Sequence, residues 1–511
     1  MKRYLIGVDL GTSSTKAAIY TPDGNLVAEA SVEVPLYHPK PGVVEQENDD
    51  FYSSAAQTVR QSIQSSGIDP REVAAIAFDS QMAGVGSVSD QFQAATRFDS
   101  WLDMRCQPYI EQLSREAGGL ITRLSGCPPT CDHGPKILWW QHERPEEYAR
   151  VAKFLMPAGY VAGRMAGLRG EDAFIDYTFI HFSALSDAQA GTWSPELCRL
   201  LGVNQEKLPR IVSPWTLVGE VSDSSARDFG LAAGTPIAAG AGDTAAGALG
   251  AGVVRSGMLL DTAGTAAVLA GCTNQYTPDE ANRALLIMRS VIPGLWNPLA
   301  YIAGGGLALR WFRDKFYNSL HGESQPSAGD LYDEMTAAAE SIPPGADGLF
   351  FSPHLGGRIC PAEPSMRGAW IGFSWTHTQA HFFRAVLESV AFEYAYYLHI
   401  LRGLIPPLNL IEARVIGGGA RSPVWNQIKA NVLNVPYQPL QRSEFATWGS
   451  ALIAGYAVGL FSNLAETAIE TSERRGDPLQ PDPEQVALYQ PLSSQYRHWQ
   501  ESLSQNFVSS H

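Results

Sequence analysis

No uninterrupted apolar stretch in this chain reaches the roughly 18 residues that a membrane-spanning helix needs. The longest candidate, PIAAGAGDTAAGALGAGVV, is rich in glycine and broken by Asp243. The opening MKRYLIGVDLG meets Asp9 too soon to read as a secretory leader. Cysteine is scarce, and six in 511 residues do not build a disulfide framework. Cys127, Cys131 and His133 stand around two prolines with no second pair at zinc-like spacing, so they read as loop residues and not as metal ligands. Positive charge is short as well. The formal net charge of -15 argues against nucleic acid or an anionic membrane as a partner, since both need a basic face. No GxxxxGK[ST] run occurs, so a phosphate site here is not of the Walker type. A reducing cytoplasm is the expected compartment.

What the chain does have is length and glycine. Its 511 residues exceed one hydrophobic core, so two domains are expected, divided as 1–247 and 248–511. Tyr4 to Val8, Lys16 to Tyr20 and the run from Asn25 read as strands, with PDGN supplying a hairpin turn. Phe51, Ala55, Val59 and Ile63 recur every four residues, which predicts an amphipathic helix stopped by Gly67. Glu72 to Ser80 reads as a buried strand. The class is therefore α/β, a mixed sheet with helices packed on it. GMLLDTAGTAAVLAG, Gly257 to Gly271, repeats the order strand, aspartate, Gly-Thr turn, strand seen in VDLGTS. A long helix is expected from about Thr378 to Leu401. In ARVIGGGARSPVW a strand and a glycine turn lead into a helix with Ser422 as N-cap and Pro423 at its first position.

The turn after Asp9 has the groups a polyphosphate needs. Gly11 lets backbone approach a ligand, Thr12, Ser13, Ser14 and Thr15 add hydroxyls, and Lys16 adds a positive charge. Asp9 has the wrong sign for phosphate and the right sign for Mg2+. A second turn, Asp261 to Thr265, offers Gly264 and Thr265, and two such turns, one per domain, would grip one polyphosphate on domain closure. Gly417 to Gly419, with Gly418 and Gly419 central, leave room for a flat base and ribose. Read singly, these are also ordinary polar or strand–helix turns, as is IAGGGLALRWF. Asp243 is the only charge in its apolar run, either a plain helix cap or a general base facing a substrate hydroxyl; with the phosphate turns, the base is the preferred reading. Trp101 suits sugar stacking or packing, and Trp139 and Trp140 suit packing. His354 and Arg358 either approach phosphates or order a loop.

These segments in this order resemble the FGGY carbohydrate kinases, of actin-like (ribonuclease H-like) ATPase fold with an interdomain cleft. GVDLGTSSTKAAIYTPDGNLV is similar to the family's first phosphate hairpin and GAGDTAAGALGAG to its catalytic-aspartate segment. DTAGTAAV is similar to the second phosphate loop, GGGARSPVWNQIKANVL to the adenosine loop, and Gly368 to Glu393, with His381 and Glu388, to a signature region. DSQMAGV and SWLDMR resemble xylulokinase motifs. The resemblance implies Asp243 as the catalytic base and Gln81, Met82, Trp101, Asp103, Arg105 and Thr244 at the sugar. It also implies ATP as co-substrate, Mg2+, and a small sugar as partner, with a homodimer as one option. Ala83 stands where xylulokinases carry histidine and Thr244 where they carry asparagine, so the acceptor is D-xylulose or a related ketose or polyol. The alternatives are a catalytically inactive sugar- or nucleotide-sensing protein and an actin- or chaperone-like ATPase without a sugar substrate.

Overall fold

The computed structural model describes residues 3–317, 327–442 and 444–508. Its first sheet contains β1 (Tyr4–Leu10), β2 (Ser14–Tyr20), β3 (Leu26–Glu33), β4 (Val73–Ser80), β5 (Leu217–Glu220) and β6 (Pro236–Gly242). Its second contains β7 (Met258–Ala263), β8 (Ala267–Gly271), β9 (Leu286–Arg289), β10 (Trp296–Ile302), β11 (Glu412–Ile416) and β12 (Tyr437–Pro439). The orders are β5-β6-β4-β1-β2-β3 and β9-β10-β8-β7-β11-β12.

The two sheets follow one plan. In the first, β1, β2 and β3 form an antiparallel meander while β4 and β6 continue parallel from β1. In the second, β7, β8 and β10 form the meander while β11 and β12 continue parallel from β7. All eight residues of β4 are buried, the signature of a parallel strand covered on both faces. The order strand, aspartate, Gly-Thr turn, strand therefore marks the same corner of both sheets, and the α/β actin-like fold expected from the sequence is the one found.

Helices seal these faces. In α1 (Asn48–Ser66) the four-residue repeat Phe51, Ala55, Val59, Ile63 is buried, and the helix closes on Gly67 at φ 68°, as its periodicity predicts. Further along come α2 (His133–Glu143), α3 (Asp243–Gly250), α4 (Gly305–Phe312), α5 (Gln379–Leu404), α6 (Pro423–Leu433), α7 (Phe445–Ala457) and α8 (Pro483–Val508). Ser422 caps α6 by accepting from the Trp425 N–H, with Pro423 at the first position. Helix α5 starts after Thr378, as the sequence indicates.

One element crosses the sequence order. Helix α7 follows β12 of the second sheet, yet it packs on β1, β4 and α3 of the first. The contacts are backbone to backbone. A Cβ on Gly449 would sit 1.9 Å from the Ala246 carbonyl oxygen, and one on Gly250 2.0 Å from that of Phe445. Only glycine permits helices to approach so closely. Residues late in the chain thus fix the helix that begins with Asp243.

Candidate active site

Three aspartates close three neighbouring parallel strands. Asp9 lies one residue before the end of β1, Asp79 stands beside it on β4, and Asp243 follows β6 at once as the first residue of α3. Each follows an apolar run. Parallel register puts Asp79 opposite Asp9 on one side and Ala241 on the other, so the three carboxyls share one end of the sheet. A bulge brings Asp243 in. The β6–β4 register shifts between Ala238 and Ala241, where Gly240 takes φ 82° with its Cα against the Phe78 carbonyl.

Asp243 is not the cap of its helix, because Gly242 holds that position. Its Oδ1 accepts from the Thr244 backbone N–H and, at 3.0 Å, from the Thr244 hydroxyl. Burial pushes its pKa up to about 6, against those two hydrogen bonds. Burial and the neighbouring Asp243 charge raise Asp9 to about 7. Asp79 is raised too, by burial first and then by Asp9 and Asp243. A base with a pKa near 6 accepts a proton efficiently at neutral pH. The oxygens of Asp9, Asp79 and Asp243 are the hard donors Mg2+ prefers, and Mg2+ needs only one or two carboxylates when phosphate and water complete its shell. Among the described residues no group of three or more His, Cys, Asp or Glu forms a cage for a metal by itself.

Beside the carboxylates lies a chain of hydrogen bonds. The Trp101 indole N–H donates to Thr12 Oγ1 at 2.9 Å, and the Thr12 hydroxyl lies 3.4 Å from Gln81 Oε1. Gln81 donates to Gln46 Oε1 at 2.8 Å, and Gln46 returns to the Thr12 carbonyl at 3.0 Å. Met82 presses its thioether on Gly242, and Ala83 takes φ 61°. Trp101 remains partly exposed, as a stacking face must be. The structure thus joins Asp9, Thr12, Gln81, Met82, Trp101, Asp243 and Thr244 in one region, with Ser13 exposed in the same turn.

Four residues of the expected site are held by protein partners. The Lys16 ammonium donates to both oxygens of Glu444, at 2.8 and 3.0 Å. Thr15 adds no hydroxyl to the turn, because it is buried against Ser54 Oγ at 2.7 Å. Asp103 and Arg105 are engaged with protein groups. Arg105 spends its guanidinium on Glu45, Asp99 and Asp103 and stacks 4.5 Å over Trp139, while Asp103 accepts from the Val44 N–H. They brace the loop that carries Trp101.

The nucleotide-side candidates form a second group. Gly264 and Thr265 are tied to the start of α4, their carbonyls accepting from Gly306 and Leu307 at 3.0 Å. The Gly417–Gly419 turn lies against Ala263 and Gly264. Gly418 is exposed with open space where a Cβ would be, whereas Gly419 is packed under Ala263 and Trp425. His354 and Arg358 order a buried cluster, 3.2 and 3.0 Å from Glu393. Burial works against the Glu393 charge, yet Arg358 and His354 hold its pKa at about 2. His381 lies 3.1 Å from Asp347, and Glu388 accepts from Arg384 and Tyr489. Burial pushes His133 down to about 3. Asp79 is the residue the motif reading passed over. Its signal was there, since VAAIAF ends in aspartate just as YLIGV does.

Comparison with known proteins agrees with this geometry. Residues 4–250 match the N-terminal domain of the FGGY family of carbohydrate kinases, and residues 260–458 match the C-terminal domain. Xylulose kinase of Bacillus subtilis is 26% identical over 498 residues, 97% of this chain and 96% of that protein. Gluconokinase of the same organism is 27% identical over 467 residues, 90% and 88% of the two chains. Autoinducer-2 kinase of Escherichia coli is 28% identical over 503 residues, 96% and 92%. In three dimensions, ligand-bound xylulose kinase from Lactobacillus acidophilus superposes with a TM-score of 0.90 at 23% identity, covering 99% of this chain and 100% of that one. Two paired sheets with their Gly-Thr turns, a carboxylate at the head of α3 and family matches in both halves lead to one assignment: the chain belongs to the FGGY family of carbohydrate kinases, phosphotransferases with an alcohol group as acceptor.

Proposed function

We propose that this kinase transfers the γ-phosphoryl group of ATP to a hydroxyl of a neutral ketose or polyol, with D-xylulose the first candidate. The observation that carries the reading is Asp243. A carboxylate with its pKa raised to about 6 heads α3 beside the Gln81–Thr12–Trp101 chain, where a bound sugar would meet both. Asp243 takes the hydroxyl proton as the oxygen attacks phosphorus. Thr244 orients the accepting carboxyl by donating to Oδ1, leaving Oδ2 for the substrate. Gln81 and Trp101 position the sugar. Thr12 and Ser13 from one sheet, with Gly264 and Thr265 from the other, hold the phosphates, and Gly418 supports the adenosine. Asp9 would hold Mg2+, which supplies charge neutralisation on the phosphates when bound. The sugar contacts fall in 1–247 and most nucleotide contacts in 248–511, and a cytoplasmic setting goes with ATP as donor.

A neutral acceptor is favoured over a sugar acid. Three carboxylates already crowd this end of the sheet, and the nearby cations Lys16 and Arg105 are taken by Glu444 and by Glu45, Asp99 and Asp103. Coupled ADP release with a panel of ketoses, polyols and aldonates tests this. Turnover on D-xylulose or another neutral member, with none on gluconate, is the expected result. Preference for gluconate overturns the neutral assignment. Hydrolysis independent of sugar, or binding without turnover, overturns the kinase reading.

A further inference from the structure

Asp79 takes no part in the proton transfer or in the sugar and nucleotide contacts, and its surroundings do not account for it. It is fully buried on β4. Its Oδ2 accepts one hydrogen bond, from Ser450 of α7 at 2.7 Å, and its Oδ1 has no hydrogen-bond partner. Across the parallel register it stands opposite Asp9 on β1. A fully buried carboxyl beside Asp9 on the next strand, with a third acid at Asp243, is a costly arrangement unless something positive joins them. The nearest cation on the strands, Lys16, faces Asp9 in the β1–β2 register but is committed to Glu444. A buried oxygen without a partner, on a strand flanked by two further acids, with the local ammonium held by Glu444, describes a place built for a cation from outside the chain.

We propose that Asp79 is the second carboxylate of the divalent-cation site and holds the metal of the metal–nucleotide complex together with Asp9. This rests on the kinase reading above. Two carboxylates with phosphate oxygens and water is a donor set Mg2+ commonly accepts. Ser450 then acts as a positioning residue, fixing one Asp79 oxygen so that the other is presented to the metal. Because α7 is packed on α3 as well as on β4, one helix sets the orientation of the metal carboxylate and of the catalytic base.

Mn2+ serves as the probe, followed by electron paramagnetic resonance on the full chain with ADP. Asp79→Asn is expected to weaken Mn2+ binding by about tenfold or more, with ADP binding in EDTA unchanged and the melting temperature not lowered. Ser450→Ala is expected to weaken Mn2+ binding less. Mn2+ affinity in Asp79→Asn within about twofold of wild type overturns the proposal, because a carboxyl that merely packs beside Asp9 would behave that way. Wild-type protein that holds ADP but no Mn2+ overturns the cation part of the kinase reading as well, so the two failures are told apart. Should Asp79→Asn not fold, Fe2+-directed oxidative cleavage of the wild-type chain decides: cuts beside both 9 and 79 are expected, and cuts beside 9 without 79 overturn the proposal.

Discussion

In the first sheet, the strand ahead of the Gly-Thr turn carries Asp9; in the second, the corresponding strand carries Asp261. The local sequence is alike, and so is the strand order around it. The neighbours differ. Asp261 is fully buried, ion-paired with Lys429 of α6, and accepts from the Tyr394 hydroxyl of α5 at 2.8 Å. Its charge is spent inside the core. Asp9 has another acid, Asp79, on the next parallel strand, and its cross-strand lysine belongs to Glu444. The register separates the two: Asp9 lies one pair from the end of its hairpin, Leu10 opposite Thr15, and Asp261 two pairs from its own, Ala263 opposite Ala267, so their side chains leave opposite faces of their sheets. The strand–Asp–Gly-Thr pattern fixes a corner of the sheet, and one residue of offset within it decides whether the carboxylate turns into the core, as Asp261 does, or stands beside Asp79, as Asp9 does.

Breaking the reactive corner should have the largest effect. Asp243→Asn is expected to lower kcat by about 10²–10⁴, the range for loss of a general base, while sugar and nucleotide binding persist in calorimetry. In wild type the acid limb of kcat should fall with an apparent pKa near 6. The stability sign is opposite. A carboxyl raised from 3.8 to about 6 on folding stabilises the fold while protonated, and that contribution is lost as pH rises through 6. Asp243→Asn should therefore melt above wild type at pH 8, with the gap shrinking at pH 5.

Breaking the closed corner should cost stability instead. Lys429→Met strands a buried Asp261 charge, and a loss of about 3–5 kcal/mol is expected in denaturant titration. Adding Asp261→Asn should restore most of it. The same change at the reactive corner, Asp9→Asn, should cost no stability and abolish most turnover. An equal response of the two aspartates would contradict this contrast.

Smaller effects sharpen the picture. Gly449→Ala drives a methyl into the Ala246 carbonyl, which should cost about 1–3 kcal/mol and lower kcat through displacement of α3. Lys16→Met removes a partly exposed pair with Glu444, and a loss of only about 0.2–1 kcal/mol in thermal unfolding is expected. A collapse of phosphate binding in that variant would return Lys16 to the nucleotide.

Much of this was readable from residue order. Apolar runs ending in aspartate, the Gly-Thr turns, the four-residue repeat of α1 and the Ser422–Pro423 start of α6 are local patterns with local causes. Hairpin pairing is local as well, so β1–β2 and β7–β8 follow from short spacing. Arg105 shows where that reading stops. The family resemblance implies Arg105 as a sugar ligand, and only the fold brings Glu45 and Asp99 around it. Asp79 shows the converse, since its strand is legible in the sequence and its neighbours Asp9 and Ser450 come from distant segments.

Local residue order settles the two α/β halves, the Gly-Thr turns and the isolated aspartate that heads α3, because each depends on residues within a turn or two of one another. The tertiary structure alone decided which charges are free. Ser450 reaches Asp79 across 371 positions, Glu444 takes Lys16 across 428 and Lys429 neutralises Asp261 across 168. A carboxylate's chemistry depends on what lies within a few ångströms of its oxygens, and in a chain folded into two sheets those neighbours come from segments that no local pattern connects.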